Sequence, residues 1–452
     1  MDRIAIHPYR RACAGAIPPC YGRAVQGETE TKPDKRKRRR ALIAWCFYDW
    51  ANSPFPTVIV TFVFASYFTQ AVARSPEEGT AQWGTAMALS AIVIALISPI
   101  TGAAADKGGR RKPWLAAFSA LCIAATALLW FTRPTPDDVM WALVLFSLAN
   151  LGFEVATVFY NAMLPELAPP SHIGRWSGWG WGLGYAGGLA CLLVALFGIV
   201  RAEPPPFGLS RAAAEHVRAV APLVALWFTV FAVPIFAFTP DRRAAVPLGR
   251  AIRAGVVEAA TTVRHIGRHP NIARFMLARL FYTDGMNTLF AFGGIYAAGT
   301  FGMDTAEIIE FGVALNVTAG IGAAAFAWID DLFGAKRTVL MGLGGLIAFG
   351  LPLLLVDDKT VFWALALALG IFMGPAQTAS RSLMARIAPP ETVNEMFGLF
   401  ALSGKITSFL NPAVLAWVTL HFQSQRAGMA TVVGFLALGA LLLLPVKEIV
   451  RR

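Results

Sequence analysis

Apolar runs of about twenty residues recur twelve times along this chain, and no other feature narrows its fold so far. They lie near 41–72, 81–105, 113–132, 138–164, 174–200, 219–239, 271–299, 306–329, 336–355, 360–385, 394–420 and 427–446. Each is long enough to cross the roughly 30 Å hydrocarbon core of a bilayer as a helix. Lipid offers the backbone no hydrogen bonds, so a spanning segment must satisfy its own, and runs of this length do so as α-helices. Charged residues make up 15% of the 452 positions and hydrophobic ones 56%, whereas a soluble chain carries about a quarter charged. The sequence therefore predicts an all-α integral membrane protein with twelve transmembrane helices.

The net charge of +12 would suit a nucleic-acid binder, but its placement argues against one. With the N-terminus in the cytoplasm, most Lys and Arg fall in the N-terminal tail, at the exits of even-numbered helices and at the C-terminus. Arg74, Arg133, Arg201, Arg211, Arg218, Lys359 and Arg426 fall on the other side, and Arg279 and Lys405 within helices. That asymmetry is the positive-inside rule. It places both termini in the cytoplasm and suits a bacterial-type inner (plasma) membrane. Residues 1–40 lack apolar periodicity and end in Lys35-Arg-Lys-Arg-Arg-Arg40. They read as a disordered tail that meets anionic lipid headgroups. Cys13, Cys20, Cys46, Cys122 and Cys191 show neither disulfide nor zinc spacing. No metal, cofactor or catalytic motif is expected, and the chain does not read as an enzyme.

Between the second and third runs lies Gly102-Ala-Ala-Ala-Asp106-Lys107-Gly-Gly109-Arg110-Arg111, a glycine-bent, cation-rich hinge. It resembles the signature loop of major facilitator superfamily transporters, matching at Gly102, Asp106, Lys107, Gly109, Arg110 and Arg111. The resemblance implies two six-helix bundles, and a cytoplasmic gate in which Asp106 with Arg110 and Arg111 latches the outward-facing state.

The halves of the chain repeat. Asp49-Trp-Ala-Asn52-Ser53-Pro-Phe55 returns as Asp284-Gly-Met-Asn287-Thr288-Leu-Phe290, and the signature loop is echoed by Asp331-Leu-Phe-Gly334-Ala-Lys336. Leu167-Ala-Pro169-Pro170 returns as Ile387-Ala-Pro389-Pro390. Duplication accounts for this economically. The expected organisation is a tail (1–40), an N-terminal bundle (41–239), a linker (240–270), a C-terminal bundle (271–446) and a short cytoplasmic end (447–452). Within the linker Leu248, Ile252, Val256, Ala259, Val263 and Ile266 step by three or four, which predicts an amphipathic helix in the membrane interface.

A charge at bilayer depth costs several kcal/mol and needs a partner, water or a job. Asp49, Asn52 and Ser53 share a helix face by their i, i+3, i+4 spacing, and Pro54 and Pro56 predict a kink just beyond. Asn52 and Ser53 suit a cavity wall or an interhelical hydrogen-bond cluster equally, while Asp49 reads as functional. Asp284, Asn287 and Thr288 repeat the arrangement. Lys405 falls well inside the eleventh run, facing Asp49, Asp284 or Glu154, or a substrate carboxylate. Gln377, Ser380 and Arg381 share a face in the tenth run, with Arg381 read as a positive-inside residue rather than a gate. Arg279 reads as structural, pairing with a loop carboxylate, and Glu154 has no repeat counterpart. The glycines of 174–188 read as helix packing, and Trp176, Trp179 and Trp181 as an interfacial belt.

Three stretches narrow the resemblance: Phe47 to Ser53, Pro375 to Ser382, and Gly398 through Ser403-Gly404-Lys405 to Phe409. They are similar to the vacuole-effluxer-like permeases, whose fungal relatives are autophagy-related vacuolar amino-acid effluxers. The likeness covers about 41–446 and implies a secondary transporter of a small organic solute, amino acids foremost, coupled to protons or sodium. A cation-coupled sugar or glycoside symporter and a non-transporting membrane sensor or assembly protein are the alternatives. Asp49, Asn52, Ser53, Asp284, Asn287, Thr288, Gln377 and Lys405 are the expected substrate and coupling residues.

Overall fold

The computed structural model describes residues 32–241, 246–264, 269–303 and 305–448. Most of the tail expected at 1–40, parts of the 240–270 linker and the last four residues lie outside them. Among the described residues there is helix and turn but no strand.

Helix α1 (Lys32–Asn52) begins inside the expected tail, so the Lys35–Arg40 run is its first turns. It loses α geometry at Pro54 and Pro56 and continues as π-helical turns over Phe55–Phe62. Proline removes an N–H from the ladder, and the wider turn absorbs the mismatch. Helix α2 (Pro76–Gly108) starts at Ser75, whose hydroxyl accepts the Glu78 N–H, and stops at Gly109 with φ 77°. That left-handed position is one glycine takes without strain. There follow α3 (Lys112–Leu128), α4 (Val139–Leu167), α5 (Ile173–Ala195), α6 (Val220–Phe238) and α7 (Leu248–Arg264). The second half holds α8 (Pro270–Phe301), α9 (Thr305–Phe333), α10 (Ala335–Leu353) and α11 (Lys359–Ile387). It ends with α12 (Val393–Ser403), α13 (Leu410–Phe422) and α14 (Gln425–Leu443).

Ten helical segments of the described chain are long and apolar enough to cross a membrane. Helix α8, which carries Arg274, Arg279 and Asp284, is not among them, nor is the 394–420 run. That run was expected as one continuous helix. It is instead α12 and α13 separated by turns at residues 404–409. Hydropathy does not register the break, although Gly404 and the hydroxyls of Thr407 and Ser408 favour one.

Helix α1 packs on α5 and α6, and α3 on α4 and α6; later in the chain α8 packs on α14 and α11 on α9 and α10. The halves meet where α2 lies on α12 and α5 on α9. Both seams are backbone-close. A methyl on Gly398 would stand 2.5 Å from the Ser98 carbonyl oxygen, one on Gly178 2.5 Å from the Ala327 methyl, and one on Gly102 would strike the Asn394 carbonyl. The two glycine registers of α5 serve different neighbours: Gly174, Gly178 and Gly182 face α9, while Gly180, Gly184 and Gly188 face α1. Small residues permit such approach. The α2–α3 loop, the starts of α5 and α12, Asp241 and Glu448 converge on one end of the molecule, hereafter the basic end.

Candidate substrate and gate site

Arg381, on α11, is 1% exposed, and its guanidinium gathers partners from three first-half helices. It pairs with Asp49 of α1 at 3.1 Å, donates to Asn161 Oδ1 of α4 at 3.3 Å, and donates to the Ser177 hydroxyl of α5 at 2.9 Å. It also donates to the Ser177 carbonyl, and lies 4.9 Å from each of the Trp45 and Trp181 ring centroids. Tyr160 completes the cluster by donating to Asp49 Oδ2 at 2.7 Å, stacked on Trp45 with centroids 4.4 Å apart. A buried guanidinium needs its donors filled and its charge matched, and a cation–π face adds to both. The reading of Arg381 as a positive-inside residue is therefore corrected: it is the most deeply bound cation between the halves. Trp181, expected in an interfacial belt, belongs to this cluster.

A second ion pair lies at the helix break. Lys405 Nζ stands 2.7 Å from Glu154 Oε1 of α4, with side chains 29% and 21% exposed. Lys405 is thus in the turn after α12, not inside a continuous helix, and of its three expected partners Glu154 is the one it meets. The break also frees backbone donors at the start of α13. The Asn411 N–H there donates to Asp284 Oδ2 at 2.9 Å, while Asp284 Oδ1 is buried and without a hydrogen-bond partner. An anion at a helix N-terminus is favoured by the unpaired N–H groups and the helix dipole. Among the described residues Arg279 meets no loop carboxylate. It donates to the Phe400 carbonyl and to the Ser403 hydroxyl at 2.8 Å, tying α8 to the end of α12.

The remaining expected residues surround these groups without joining them. Asn52 is buried, and Ser53 lies against Gly184. Asn287 is exposed, while Thr288 is buried and donates to the Asp284 backbone carbonyl at 2.8 Å. Gln377 Oε1 accepts the Tyr185 hydroxyl at 3.3 Å. Asp49, Asp284 and Lys405, grouped from the sequence as one cavity lining, have three separate partners.

At the basic end one device occurs twice. Asp106 accepts the Glu395 N–H at 2.9 Å, the Asn394 N–H at 3.3 Å and the Asn394 side-chain amide, so it caps α12 of the other half. Asp331 accepts the Gly174 N–H at 2.9 Å and caps α5 in the same way, with Arg175 at 3.4 Å and Arg386 at 3.5 Å. Asp241 accepts the Arg111 N–H at 3.0 Å at the head of α3, and Glu448 accepts the Ala335 and Lys336 N–H groups at 2.9 Å at the head of α10.

Within the signature loop Asp106 bonds across the seam. Arg111 pairs with Glu166 at 2.8 Å and Arg110 with Asp241 at 3.6 Å, neither partner lying in the second half. Burial pulls the Arg111 guanidinium down to about 10 against the fields of Asp106 and Asp241. Gly102 gives the backbone contact with α12, Gly109 turns the chain, and Lys107 is exposed. The latch expected of Asp106, Arg110 and Arg111 together is thus carried across the seam by Asp106, with Asp331 as a counterpart that the sequence echo at 331–336 only hinted at. Tyr160, Asn161, Ser177, Asn394 and Arg386 carried no sequence signal of their own.

Solved structures share the fold along almost the whole chain. The proton:xylose symporter XylE, bound to 6-bromo-6-deoxy-D-glucose, superposes with a TM-score of 0.70 at 14% identity, covering 92% of this chain and 97% of that one. The human organic anion transporter MFSD10 (TETRAN) gives 0.69 at 15% identity, covering 90% and 99%. The fold is that of a major facilitator superfamily membrane transporter. In sequence, the uncharacterized MFS-type transporter YxiO of Bacillus subtilis strain 168 is 26% identical over 377 residues, 82% of this chain and 87% of that protein. Autophagy-related protein 22-1 of Emericella nidulans is 24% identical over 279 residues, 56% of this chain and 46% of the fungal protein's length. The family model described as "Vacuole effluxer Atg22 like" matches residues 83–449, and the chain belongs to that family.

Proposed function

We propose that this transporter moves amino acids by alternating access, with the Lys405–Glu154 pair as the point of substrate exchange. The observation that carries the reading is this pair of opposite charges, 2.7 Å apart between the halves and partly open. A zwitterionic amino acid presents the same two charges: its carboxylate replaces Glu154 beside Lys405, and its ammonium replaces Lys405 beside Glu154. A sugar offers neither, and would leave a charged pair to desolvate uncompensated.

In this reading twelve spans form two six-helix bundles over 41–239 and 271–446, joined by the 240–270 linker, and rock about the midplane. The positive-inside rule favours a cytoplasmic basic end, and the Asp106 and Asp331 caps support reading that end as closed in this conformation. The Asp49–Arg381 cluster fastens the same closure deeper in the seam and must part for the inward-facing state. Asp284, with one carboxylate oxygen unpartnered at the start of α13, is the coupling site for a proton or sodium ion. Membership of the family described as vacuole-effluxer-like, with the resemblance to vacuolar amino-acid effluxers, supports an amino-acid substrate over the sugar of the symporter neighbour. Solute counterflow in proteoliposomes tests the assignment without presupposing the driving ion. Labelled leucine accumulating against unlabelled leucine, with no accumulation of glucose in the parallel experiment, is the expected result; accumulation of glucose alone would replace the amino-acid reading with a sugar one.

A further inference from the structure

A groove of about 630 Å³ runs between α1, α5 and α9, its wall at Cys46 lying one helical turn before Asp49. Its mouth at the basic end is lined by Arg39, His172 and Arg175, and its inner wall by Ile43, Trp179 and Leu183. From His172 to Leu183 is eleven residues, about 16 Å along a helix axis, so the groove passes from cationic to apolar in the direction of the membrane normal. Trp179 packs edge-on against Trp328 of α9 with centroids 5.5 Å apart; indole rings of this kind favour the headgroup boundary. Arg39 is exposed and sits two residues before the apolar part of α1. Arg175 lies 3.4 Å from Asp331, but that carboxylate also holds Arg386 and the Gly174 N–H. Turning Arg175 toward an incoming anion therefore leaves Asp331 partnered.

We infer that this groove binds one anionic phospholipid, its phosphate between Arg39 and Arg175 and an acyl chain along Ile43, Trp179 and Leu183. Charge complementarity selects the occupant: two guanidiniums at the mouth match a headgroup carrying net negative charge, and a choline headgroup would bring its own cation against them. The apolar wall excludes a free phosphate as the natural ligand, because such an ion leaves Ile43, Trp179 and Leu183 uncovered. The groove joins α1 and α5 of one half to α9 of the other, and Arg175 adjoins the Gly174–Asp331 cap. A bound lipid therefore spans the seam and favours the closed basic end.

The test is native mass spectrometry of the full chain released from a neutral detergent, with phosphatidylglycerol and phosphatidylcholine of identical acyl chains added in turn. One phosphatidylglycerol should be retained under conditions that strip phosphatidylcholine, and Arg39→Gln should weaken that retention about fivefold. Lys35→Gln with Lys37→Gln removes more charge from α1 outside the groove and should leave retention unchanged. Arg39 is exposed, so its replacement does not threaten folding. Equal retention of the two lipids, or an equal loss in the Lys35/Lys37 variant, would overturn the proposal in favour of diffuse attraction. Displacement of phosphatidylglycerol by inorganic phosphate alone would overturn it in favour of a simple oxyanion site.

Discussion

Of the ion pairs that join the halves of this molecule, two are built in opposite ways. Arg381 and Asp49 lie between regular helices, enclosed by Tyr160, Asn161, Ser177, Trp45 and Trp181. Lys405 and Glu154 meet where a helix has come undone, and both remain partly exposed. Desolvation makes the first pair interdependent: neither charge is tolerable without the other. The second can surrender its partner to another charge at small cost, because water already attends it. One pair therefore suits holding a conformation, and the other suits exchanging a ligand. The distinction rests on enclosure, since each pair has similar contact distance.

Arg381→Met should break the comparison most forcefully. It leaves Asp49 buried without its cation and should lower unfolding stability by about 3–5 kcal/mol, read as a fall in melting temperature in detergent. Adding Asp49→Asn should recover much of that loss, since it removes the stranded charge. A single variant that melts like the parent would show the cluster to be open to water.

Lys405→Met should separate transport from folding. Leucine counterflow is expected to fall about tenfold to a hundredfold, the worth of a charge-assisted hydrogen bond. Stability should change by less than about 1 kcal/mol. Near-normal transport would remove Lys405 from the site, and destabilisation as large as that of Arg381→Met would erase the contrast between the pairs.

The caps at the basic end sharpen the contrast on a smaller scale. Asp331→Asn should cost more than Asp106→Asn, because Arg175 and Arg386 both lose a charged partner along with the helix N-terminus. For Asp106→Asn the expected loss is about 0.3–2 kcal/mol, the range for a charge at a helix end. Melting curves of the two variants, run side by side, give the order; the reverse order would show that Asp330 and Glu448, each 2.7 Å from Arg386, hold it without Asp331.

Much of the fold was legible because lipid imposes a simple rule: long apolar stretches become helices, and helices do occupy the apolar runs. The break at residues 404–409 escaped because hydropathy averages over it, although Gly404 and two hydroxylated residues stood there. The site was legible by residue type and not by pairing. Asp49, Asp284 and Lys405 stood out as charges in apolar runs, but choosing among partners requires the packing of helices hundreds of residues apart. Arg381 was misjudged because its distance from the chain's charged end says nothing of which neighbours its helix face meets. The caps were harder still, since the groups that Asp106 and Asp331 bind are backbone amides that every helix start possesses.

The placement of Asp241 and Glu448 bears on how such a chain is made. Each follows the last helix of its half and reaches back to the head of a helix inserted much earlier, Asp241 to residue 111 and Glu448 to residue 335. A ribosome delivers Asp241 before any of α8 exists, so the first half can fasten its own ring while the second is still being synthesised. Glu448 arrives only after α14, so the second ring cannot close until every helix of its half has been made.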